Sequence, residues 1–213
     1  MSILITGANR GIGHQLMLDY QAEGRSVIGT SRSGGEYLPL EVTDPASQEA
    51  LAETLKTKPI DLLVCNAGVY LDAGQTLDAG YPADMWAQTF AVNVAGVFMT
   101  IQALLPNVRA ANGKIAIISS QMASHERAPG GSYIYRASKA AVLNLGRNLA
   151  TDLRPEGIAV GIYHPGWVQT DMGGKGADIN AKTASKGLIA QFDALDMRTS
   201  GHFLTWDGQQ HPF

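Results

Sequence analysis

The feature that most constrains the fold of this chain is an alternation of short apolar runs with longer amphipathic segments along almost its whole length. The apolar runs are nearly continuous, which is typical of strands buried on both faces of a sheet. Strands that alternate with helices form βαβ units, so the pattern predicts an α/β fold with a mostly parallel, doubly wound sheet and helices on both faces. Strands are predicted over Ser2–Ile5, Val27–Thr30, Leu38–Val42, Ile60–Cys65, Lys114–Ser119, Ile158–Tyr163 and His202–Thr205. Helices are predicted over Gly11–Glu23, Asp44–Lys56, Asp84–Leu104, Ser132–Leu153 and Ala181–Leu195.

Length and charge narrow the class of protein further. The 213 residues can bury one core but leave no room for a nucleotide domain plus a separate substrate domain, so one domain over residues 1–213 is predicted. Charged residues make up 16% and the net charge is −3, so no basic surface points to nucleic acid or to an anionic membrane. No run reaches the ~18 apolar residues of a membrane-spanning helix. The single cysteine suits a reducing compartment, and we expect a cytoplasmic protein. The histidines lack metal-ligand spacing, so no metal site is predicted.

A glycine-rich turn follows the first predicted strand and opens the first predicted helix. Within Thr6–Gly13, glycines stand at positions 7, 11 and 13. They let the backbone turn tightly and let a pyrophosphate approach free amides at a helix N-terminus, where the helix dipole favours negative charge. The spacing differs from the G-x-G-x-x-G fingerprint, and a tight turn without a ligand is the alternative interpretation. The predicted dinucleotide contacts in this turn are Gly7, Asn9, Arg10, Gly11, Ile12 and Gly13.

The end of the second predicted strand indicates which dinucleotide is bound. An NAD site commonly places an acid there for the ribose 2′-hydroxyl, and residues 29–33 contain none. Arg32, helped by Arg10, can instead pair with a 2′-phosphate through the planar guanidinium. We therefore expect NADP(H) to be preferred over NAD(H), the alternative being that both arginines are ordinary surface charges.

Tyr135 and Lys139 form a candidate acid–base pair, because they are four residues apart in a predicted helix and share one face. A phenol with a pKa near ~10 is a poor acid or base at neutral pH, and a neighbouring ammonium lowers that pKa. The pair predicts a phenol that can give a proton to a carbonyl oxygen or take one from an alcohol. Tyr133 has no such partner, since Ala137 stands four residues after it. The spacing alone also occurs by chance in many helices.

Several short motifs together resemble one known family. The glycine turn, Asn66-Ala67-Gly68, Ser119-Ser120, the Tyr135 and Lys139 pair, and Pro165-Gly166 occur in the order and spacing of the short-chain dehydrogenase/reductase family. The segments Gly130–Ala141, His164–Met172 and Trp206–Phe213 are similar to its sniffer-like, C-signal-like carbonyl reductase branch. The resemblance implies a Rossmann-type fold and an NADP(H)-dependent oxidoreductase. Such an enzyme interconverts a carbonyl compound and an alcohol, with Tyr135 as acid and base.

The resemblance also implies roles for single residues. Ser120 would bind the substrate carbonyl, while Met122, which fits the usual spacing to the tyrosine, has no hydrogen-bond donor. Asn93 would bind a water in a proton relay from the lysine. Lys139 would hold the nicotinamide ribose and lower the pKa of Tyr135. The other cofactor contacts that the resemblance implies are Val42, Asn66, Ala67, Gly68, Pro165, Gly166, Val168 and Thr170.

Partners and an alternative function follow from the same resemblance. The helices that hold Asn93 and Tyr135 often pack against a second subunit in this family, so a homodimer or homotetramer acting on a small carbonyl or alcohol substrate is expected. Relatives of the C-signal type leave open a nucleotide-binding signalling or sensor protein with little turnover. The presence of the full set of Ser120, Tyr135, Lys139 and Asn93 argues against a pure binder, which needs no tuned phenol. An extended-type nucleotide-sugar epimerase is excluded on length, since no C-terminal substrate domain remains.

Overall fold

A seven-stranded parallel sheet runs through the computed structural model, which describes residues 1–213. Its strands are β1 (Ser2–Ile5), β2 (Ser26–Ser31), β3 (Leu38–Pro39), β4 (Leu62–Cys65), β5 (Lys114–Ile118), β6 (Val160–His164) and β9 (Phe203–Thr205). Two short strands, β7 (Val168–Gln169) and β8 (Ile179–Asn180), form a separate parallel pair. The helices are α1 (Gly11–Ala22), α2 (Pro45–Leu55), α3 (Ala83–Phe90), α4 (Gly96–Ala110), α5 (Tyr133–Asp152) and α6 (Ala181–Ala194).

The order of the strands creates a crevice at one edge of the sheet. The order is β3-β2-β1-β4-β5-β6-β9, and every neighbouring pair is parallel. The chain leaves β1 in one direction and β4 in the other, so the connections after these two strands separate. Ligands of open α/β sheets bind at such a switch point, outside the carboxyl ends of the strands. The predicted single-domain, Rossmann-type fold is confirmed.

Both faces of the sheet are covered, as the continuous apolar strands require. Successive residues of a strand point to opposite faces. In β1, Leu4 packs into a core cluster of 19 buried residues beneath α2, α4 and α5. Its neighbours Ile3 and Ile5 pack into a second cluster of 13 buried residues beneath α1 and α6. The two layers of helices therefore hold the strand ends rigidly in place.

The β2–β3 connection is a bare loop, in which Gly34 adopts a left-handed conformation with φ +64°. The predicted third strand over residues 38–42 is too long, because only Leu38–Pro39 pairs with β2. The chain then turns toward α2, since the amide of Glu41 donates to the hydroxyl of Ser47 at 2.9 Å rather than to the sheet. The turn brings residues 40–42 to the carboxyl end of the sheet.

The helix predicted over residues 84–104 is longer and less regular than expected. Helix α3 continues through a π-helical turn, Ala91–Ala95, into α4, so helical backbone runs over Ala83–Ala110. By length and composition alone this stretch can cross a membrane; its most apolar 18-residue window has a mean hydropathy of 1.5 and is 39% buried. Core helices of folded domains pass the same test, and here Val97 and Ile101 pack into the core.

Candidate active site

A cleft of about 440 Å³ lies at the carboxyl ends of the central strands. The predicted site residues that line it are Gly7, Asn9, Arg10, Gly11, Ile12, Arg32, Val42, Asn66, Ala67, Gly68, Tyr135, Lys139, Pro165 and Thr170. The predicted residues that do not line it are Gly13, Asn93, Ser120, Gly166 and Val168. Lining residues that the sequence did not single out include Ser31, Ser33, Leu40, Val69, Val92, Ile118 and Asp171.

The glycine turn presents uncapped helix amides to the cleft. Gly7 and Gly11 have φ values of +64° and +57°, a left-handed conformation that favours glycine. Helix α1 begins after Arg10, whose side chain does not cap it, and its first turn contains no acid. An anion can therefore accept hydrogen bonds from these amides at the positive end of the helix dipole. Gly13 also allows close packing, since a Cβ there would overlap the amide nitrogen of the Asn66 side chain.

The floor of the cleft is tied together across β1 and β4. The hydroxyl of Thr6 accepts hydrogen bonds from the amides of Asn66 and Ala67, both at 3.0 Å. The side-chain amide of Asn66 donates in return to the carbonyl oxygens of Thr6 and Gly7, at 2.9 and 3.1 Å. The Asn66 side chain is thus engaged within the protein, and the loop after β4 is fixed against the glycine turn.

One end of the cleft carries positive charge. Arg32, just after β2, is exposed and has no ion-pair partner. Arg10 lies 3.5 Å from the carboxylate of Asp171, and both side chains are largely exposed, at 57% and 83%. Glu41, the other acid that lines the cleft, is held by the amide and hydroxyl of Thr43 at 3.2 and 2.9 Å. The end near β2 can therefore receive an anionic group.

Tyr135 and Lys139 lie together at the opposite end of the cleft, on the first turns of α5. They are 8% and 5% exposed. The ammonium nitrogen of Lys139 donates to the carbonyl oxygen of Ile118 at 3.0 Å and lies 5.6 Å from the centre of the Tyr135 ring. The four-residue spacing thus brings the two groups into one buried pocket beside the end of β5.

Burial shifts the pKa of both groups of this pair. Burial raises the pKa of the Tyr135 phenol well above its usual 10.0, the Ser120 hydroxyl lowers it, and the charges of Tyr70 and Asp72 raise it further. Burial lowers the pKa of Lys139 to about 8. The Lys139 ammonium is directed at a backbone carbonyl, and desolvation is the largest influence on the pKa of both groups. The phenol is therefore protonated at neutral pH.

The two serines at the end of β5 have different surroundings. The Ser119 hydroxyl donates to the backbone carbonyl of Lys139 at 3.0 Å, which attaches β5 to α5. The Ser120 hydroxyl accepts from the amide of Met122 at 3.1 Å and interacts with the phenol of Tyr135. Of the two serines, Ser120 is the one with a hydroxyl placed to act beside the phenol.

Asn93 lies in the π-helical turn and is 1% exposed. Its side-chain oxygen accepts from the amide of Val69 at 2.9 Å, and its side-chain nitrogen donates to the carbonyl of Val69 and to the hydroxyl of Ser138. An amide inside an apolar helix needs buried partners, and the π-helical turn supplies the bend that reaches them. The side chain joins three elements, and its position below the cleft leaves the predicted water relay untested.

Gly166 and Val168 do not face the main cleft. Val168 is buried in β7, and Gly166 lines a second cleft of about 460 Å³ between β6 and residues 205–212. His164 also lines this second cleft; burial, with a smaller contribution from His211, lowers its pKa to about 4, so its imidazole is neutral at physiological pH. Of the segment after β6, Pro165 and Thr170 are the predicted contacts that reach the main cleft.

No sequence pattern indicated two residues that lie beside Tyr135. The ring of Tyr70 lies 4.4 Å from that of Tyr135, and the carboxylate of Asp72 is fully buried against the start of α5. Both belong to an irregular segment after β4, and their partners are more than 60 residues away, so no local periodicity could indicate them. No group of three or more His, Cys, Asp or Glu side chains is arranged to hold a metal ion.

Comparison with known proteins gives consistent matches over the chain. A family model described as short chain dehydrogenase matches residues 1–180. The chain is 40% identical over 166 residues to the protein named C-signal of Myxococcus xanthus, covering 77% of this chain and 99% of that protein.

Solved structures extend the similarity to the full length. The NADPH-bound carbonyl reductase from chicken fatty liver superposes with a TM-score of 0.91 at 31% identity, covering 100% of this chain and 98% of that one. The carbonyl reductase Sniffer of D. melanogaster superposes with a TM-score of 0.92 at 25% identity, covering 100% and 99%.

Proposed function

The chain belongs to the short-chain dehydrogenase/reductase family of oxidoreductases, and from that premise we propose that it interconverts an aldehyde or ketone and an alcohol with NADP(H), using Tyr135 as the acid and base. The observation that carries the proposal is the arrangement of the main cleft. A buried, protonated phenol stands at one end, an unpaired guanidinium stands at the other, and uncapped helix amides lie between them.

The residues of the cleft fit a nicotinamide dinucleotide. The first turn of α1 offers amides to a pyrophosphate, and the positive φ of Gly7 and Gly11 brings the backbone close to it. Arg32, with Arg10, supports a preference for NADP(H), because a guanidinium pairs well with a 2′-phosphate. Residues 29–33 contain no acid that would repel this phosphate. The chicken enzyme, which covers this whole chain, is described as NADPH-bound.

The reaction assigns separate tasks to the residues at the phenol end. A reduced nicotinamide bound in the cleft would supply hydride to the carbonyl carbon. The hydroxyls of Tyr135 and Ser120 would donate hydrogen bonds to the carbonyl oxygen, stabilising the negative charge that develops there, and Tyr135 would deliver the proton. Lys139, anchored to the carbonyl of Ile118, would hold the nicotinamide ribose. Asn93 keeps the segment after β4 packed on α5 through Val69 and Ser138.

The family and the exposed apolar residues support proposals about the compartment, the oligomeric state and the substrate. We expect it to be cytoplasmic and to form a homodimer or homotetramer through the outer faces of α3, α4 and α5. Trp86 and Phe98 are large apolar residues on these helices that remain 37% and 40% exposed, as expected of side chains that a second subunit covers. The expected substrate is a small carbonyl compound or alcohol.

The relative named C-signal favours one alternative, a nucleotide-binding signalling or sensor protein with little turnover. The two functions differ in the fate of bound NADPH. A sensor binds NADPH without oxidising it in the presence of aldehydes, ketones or quinones, whereas a reductase oxidises it.

The test is a carbonyl screen by NADPH absorbance with the wild type and Tyr135→Phe. Loss of the proton donor is expected to lower turnover by about 10²–10³-fold while the Kd for NADPH stays within about threefold. Tyr133→Phe is the matched control, since Tyr133 is two residues away, 38% exposed and without a lysine partner. Near-normal turnover by Tyr135→Phe would refute the assignment of the acid. Binding without oxidation by the wild type would favour the sensor.

A further inference from the structure

The most unusual charged group outside the predicted site is the carboxylate of Asp72. It belongs to the irregular segment between β4 and α3 and is 0% exposed. No lysine, arginine or histidine forms an ion pair with it. Its partners are backbone amides at the start of α5: Ile134 donates at 2.9 Å, and Tyr135 donates to both carboxylate oxygens at 3.3 Å. A buried charge without a cation is costly unless such hydrogen bonds compensate it.

The start of α5 depends on this distant carboxylate because its own sequence provides no cap. Ser132, the residue before the helix, is in a left-handed conformation with φ +49°, and its side chain does not bond to the helix amides. The hydroxyl of Ser132 is bonded to the hydroxyl of Tyr70 instead. The first amides of a helix need an acceptor and carry partial positive charge, so a carboxylate is the favourable partner. Asp72 supplies it from 62 residues away in the sequence.

The amide that Asp72 holds belongs to the same residue as the proposed acid. Tyr135 is the third residue of α5, so its backbone position depends on how the first turn is fixed. The same segment also presses the ring of Tyr70 against the ring of Tyr135, with 4.4 Å between their centres. The backbone and the ring of Tyr135 are therefore both located by residues 70–72.

We propose that Asp72 is a positioning residue for Tyr135: by binding the amides of Ile134 and Tyr135 it fixes the first turn of α5 and directs the phenol to the substrate oxygen. The proposal rests on the proposed function, in which that phenol is the acid. It adds a residue that contacts neither substrate nor cofactor and that acts through Tyr135 alone.

Because Asp72 is charged, its effect on Tyr135 should be visible in the pH dependence of turnover. The groups that face the phenol are the Ser120 hydroxyl, the Tyr70 phenol, the Asp72 carboxylate and, one helical turn away, the Lys139 ammonium. Asp72 raises the pKa of Tyr135, since a negative charge opposes formation of the phenolate. Its neutralisation lowers that pKa, so the pH at which the phenol ionises moves down.

The experiment compares Asp72→Ala, Asp72→Asn and a matched control, Asp44→Ala. Asp44 caps α2 through the amide of Ala46 at 3.0 Å, so its loss also removes a carboxylate cap, but at a distance from Tyr135. Asp72→Ala is expected to lower kcat by about tenfold to a hundredfold and to leave the Kd for NADPH within about threefold. Asp72→Asn, which keeps an acceptor, is expected to restore kcat to within about threefold of the wild type and to move the alkaline limb of the pH profile to lower pH.

If Asp72 only caps α5 and does not position Tyr135, Asp72→Ala should behave like the control variant Asp44→Ala. The proposal is overturned if Asp72→Ala loses thermal stability as Asp44→Ala does but keeps its kcat. It is also overturned if the pH profile of Asp72→Asn coincides with that of the wild type.

A readout without turnover separates this proposal from the proposed function. In protein labelled with ¹³Cζ-tyrosine, the Tyr135 resonance is the one that disappears in Tyr135→Phe. We expect this resonance to move in Asp72→Ala and to stay in place in Asp44→Ala. If the wild type reduces no carbonyl compound, the proposed function fails, and an unmoved resonance in Asp72→Ala then overturns the role of Asp72 separately.

Discussion

Replacing Lys139 by methionine is expected to stabilise the protein at neutral pH while removing its turnover. Lys139 is 5% exposed, and burial lowers the pKa of its ammonium from 10.5 to about 8. At about 1.4 kcal/mol per pH unit, this difference corresponds to about 3 kcal/mol of folding free energy lost to a buried charge. The ammonium's hydrogen bond to the carbonyl of Ile118, 3.0 Å long, disappears in the variant and costs about 1 kcal/mol. The net gain for Lys139→Met is therefore about 2 kcal/mol below pH 8.

The gain has a definite dependence on pH. Between pH 8 and 10.5 the folded wild type has released the proton of Lys139 while the unfolded chain still binds it. Stability rises with pH wherever the unfolded state binds more protons, so the wild type gains stability across this window. The methionine variant has no proton to release. Its advantage is thus fully present below pH 8 and is lost as the pH approaches 10.5, where the missing hydrogen bond leaves the variant about 1 kcal/mol less stable than the wild type.

Urea unfolding at neutral pH and at about pH 10 measures both effects, and NADPH absorbance measures turnover. Lys186→Met is the matched control, because Lys186 is an exposed lysine of α6 and its replacement should change stability little at either pH. A variant less stable than the wild type at neutral pH would refute the reasoning. An equal difference at both pH values would refute the assignment of the effect to a buried charge.

Three further predictions concern the dinucleotide end of the cleft. Arg32→Ala is expected to raise the Kd for NADPH by about tenfold to a hundredfold and to change that for NADH less than about threefold, by fluorescence titration; equal losses would refute a 2′-phosphate contact. Thr6→Val is expected to lower the free energy of unfolding in urea by about 2–3 kcal/mol, because the amides of Asn66 and Ala67 lose their acceptor. Thr6→Ser keeps the hydroxyl and should retain most of the wild-type stability. Gly13→Ala is expected to cost about 1–3 kcal/mol in thermal unfolding, because its Cβ would lie 2.4 Å from the Asn66 side chain; an unchanged Tm would contradict this.

Local patterns in the sequence were sufficient to predict structure wherever the residues in contact are close together along the chain. The buried strands follow from continuous apolar runs, and the pairing of Tyr135 with Lys139 in one pocket follows from a four-residue spacing on a helix. The cap of α2 by Asp44 is likewise a local signal, an acid followed by a proline. In each case the partner lies within one turn or one strand of the residue concerned.

The contacts that could not be predicted join residues far apart in sequence. Asn93 bonds to Val69 and Ser138, which are 24 and 45 residues away, so an isolated amide in an apolar helix gave no hint of its partners. The bonds of Asp72 to α5 span 62 residues and come from an irregular segment with no periodicity. The partner of the Lys139 ammonium also could not be derived from spacing, because the carbonyl of Ile118 is 21 residues away on another element.

The protonation state of the phenol bears on the proton-transfer step of the proposed reaction. Reduction of a carbonyl needs a donor that holds its proton, and burial together with Asp72 keeps Tyr135 protonated. Oxidation of an alcohol needs proton transfer to the phenolate, and burial and Asp72 both raise the pKa of the phenol. Ser120 lowers the pKa of the phenol, and in the proposed reaction it would also be the second donor to the substrate oxygen. In the proposed reduction, Tyr135 would therefore hold the proton, and the two hydroxyls would stabilise the alkoxide that accepts it.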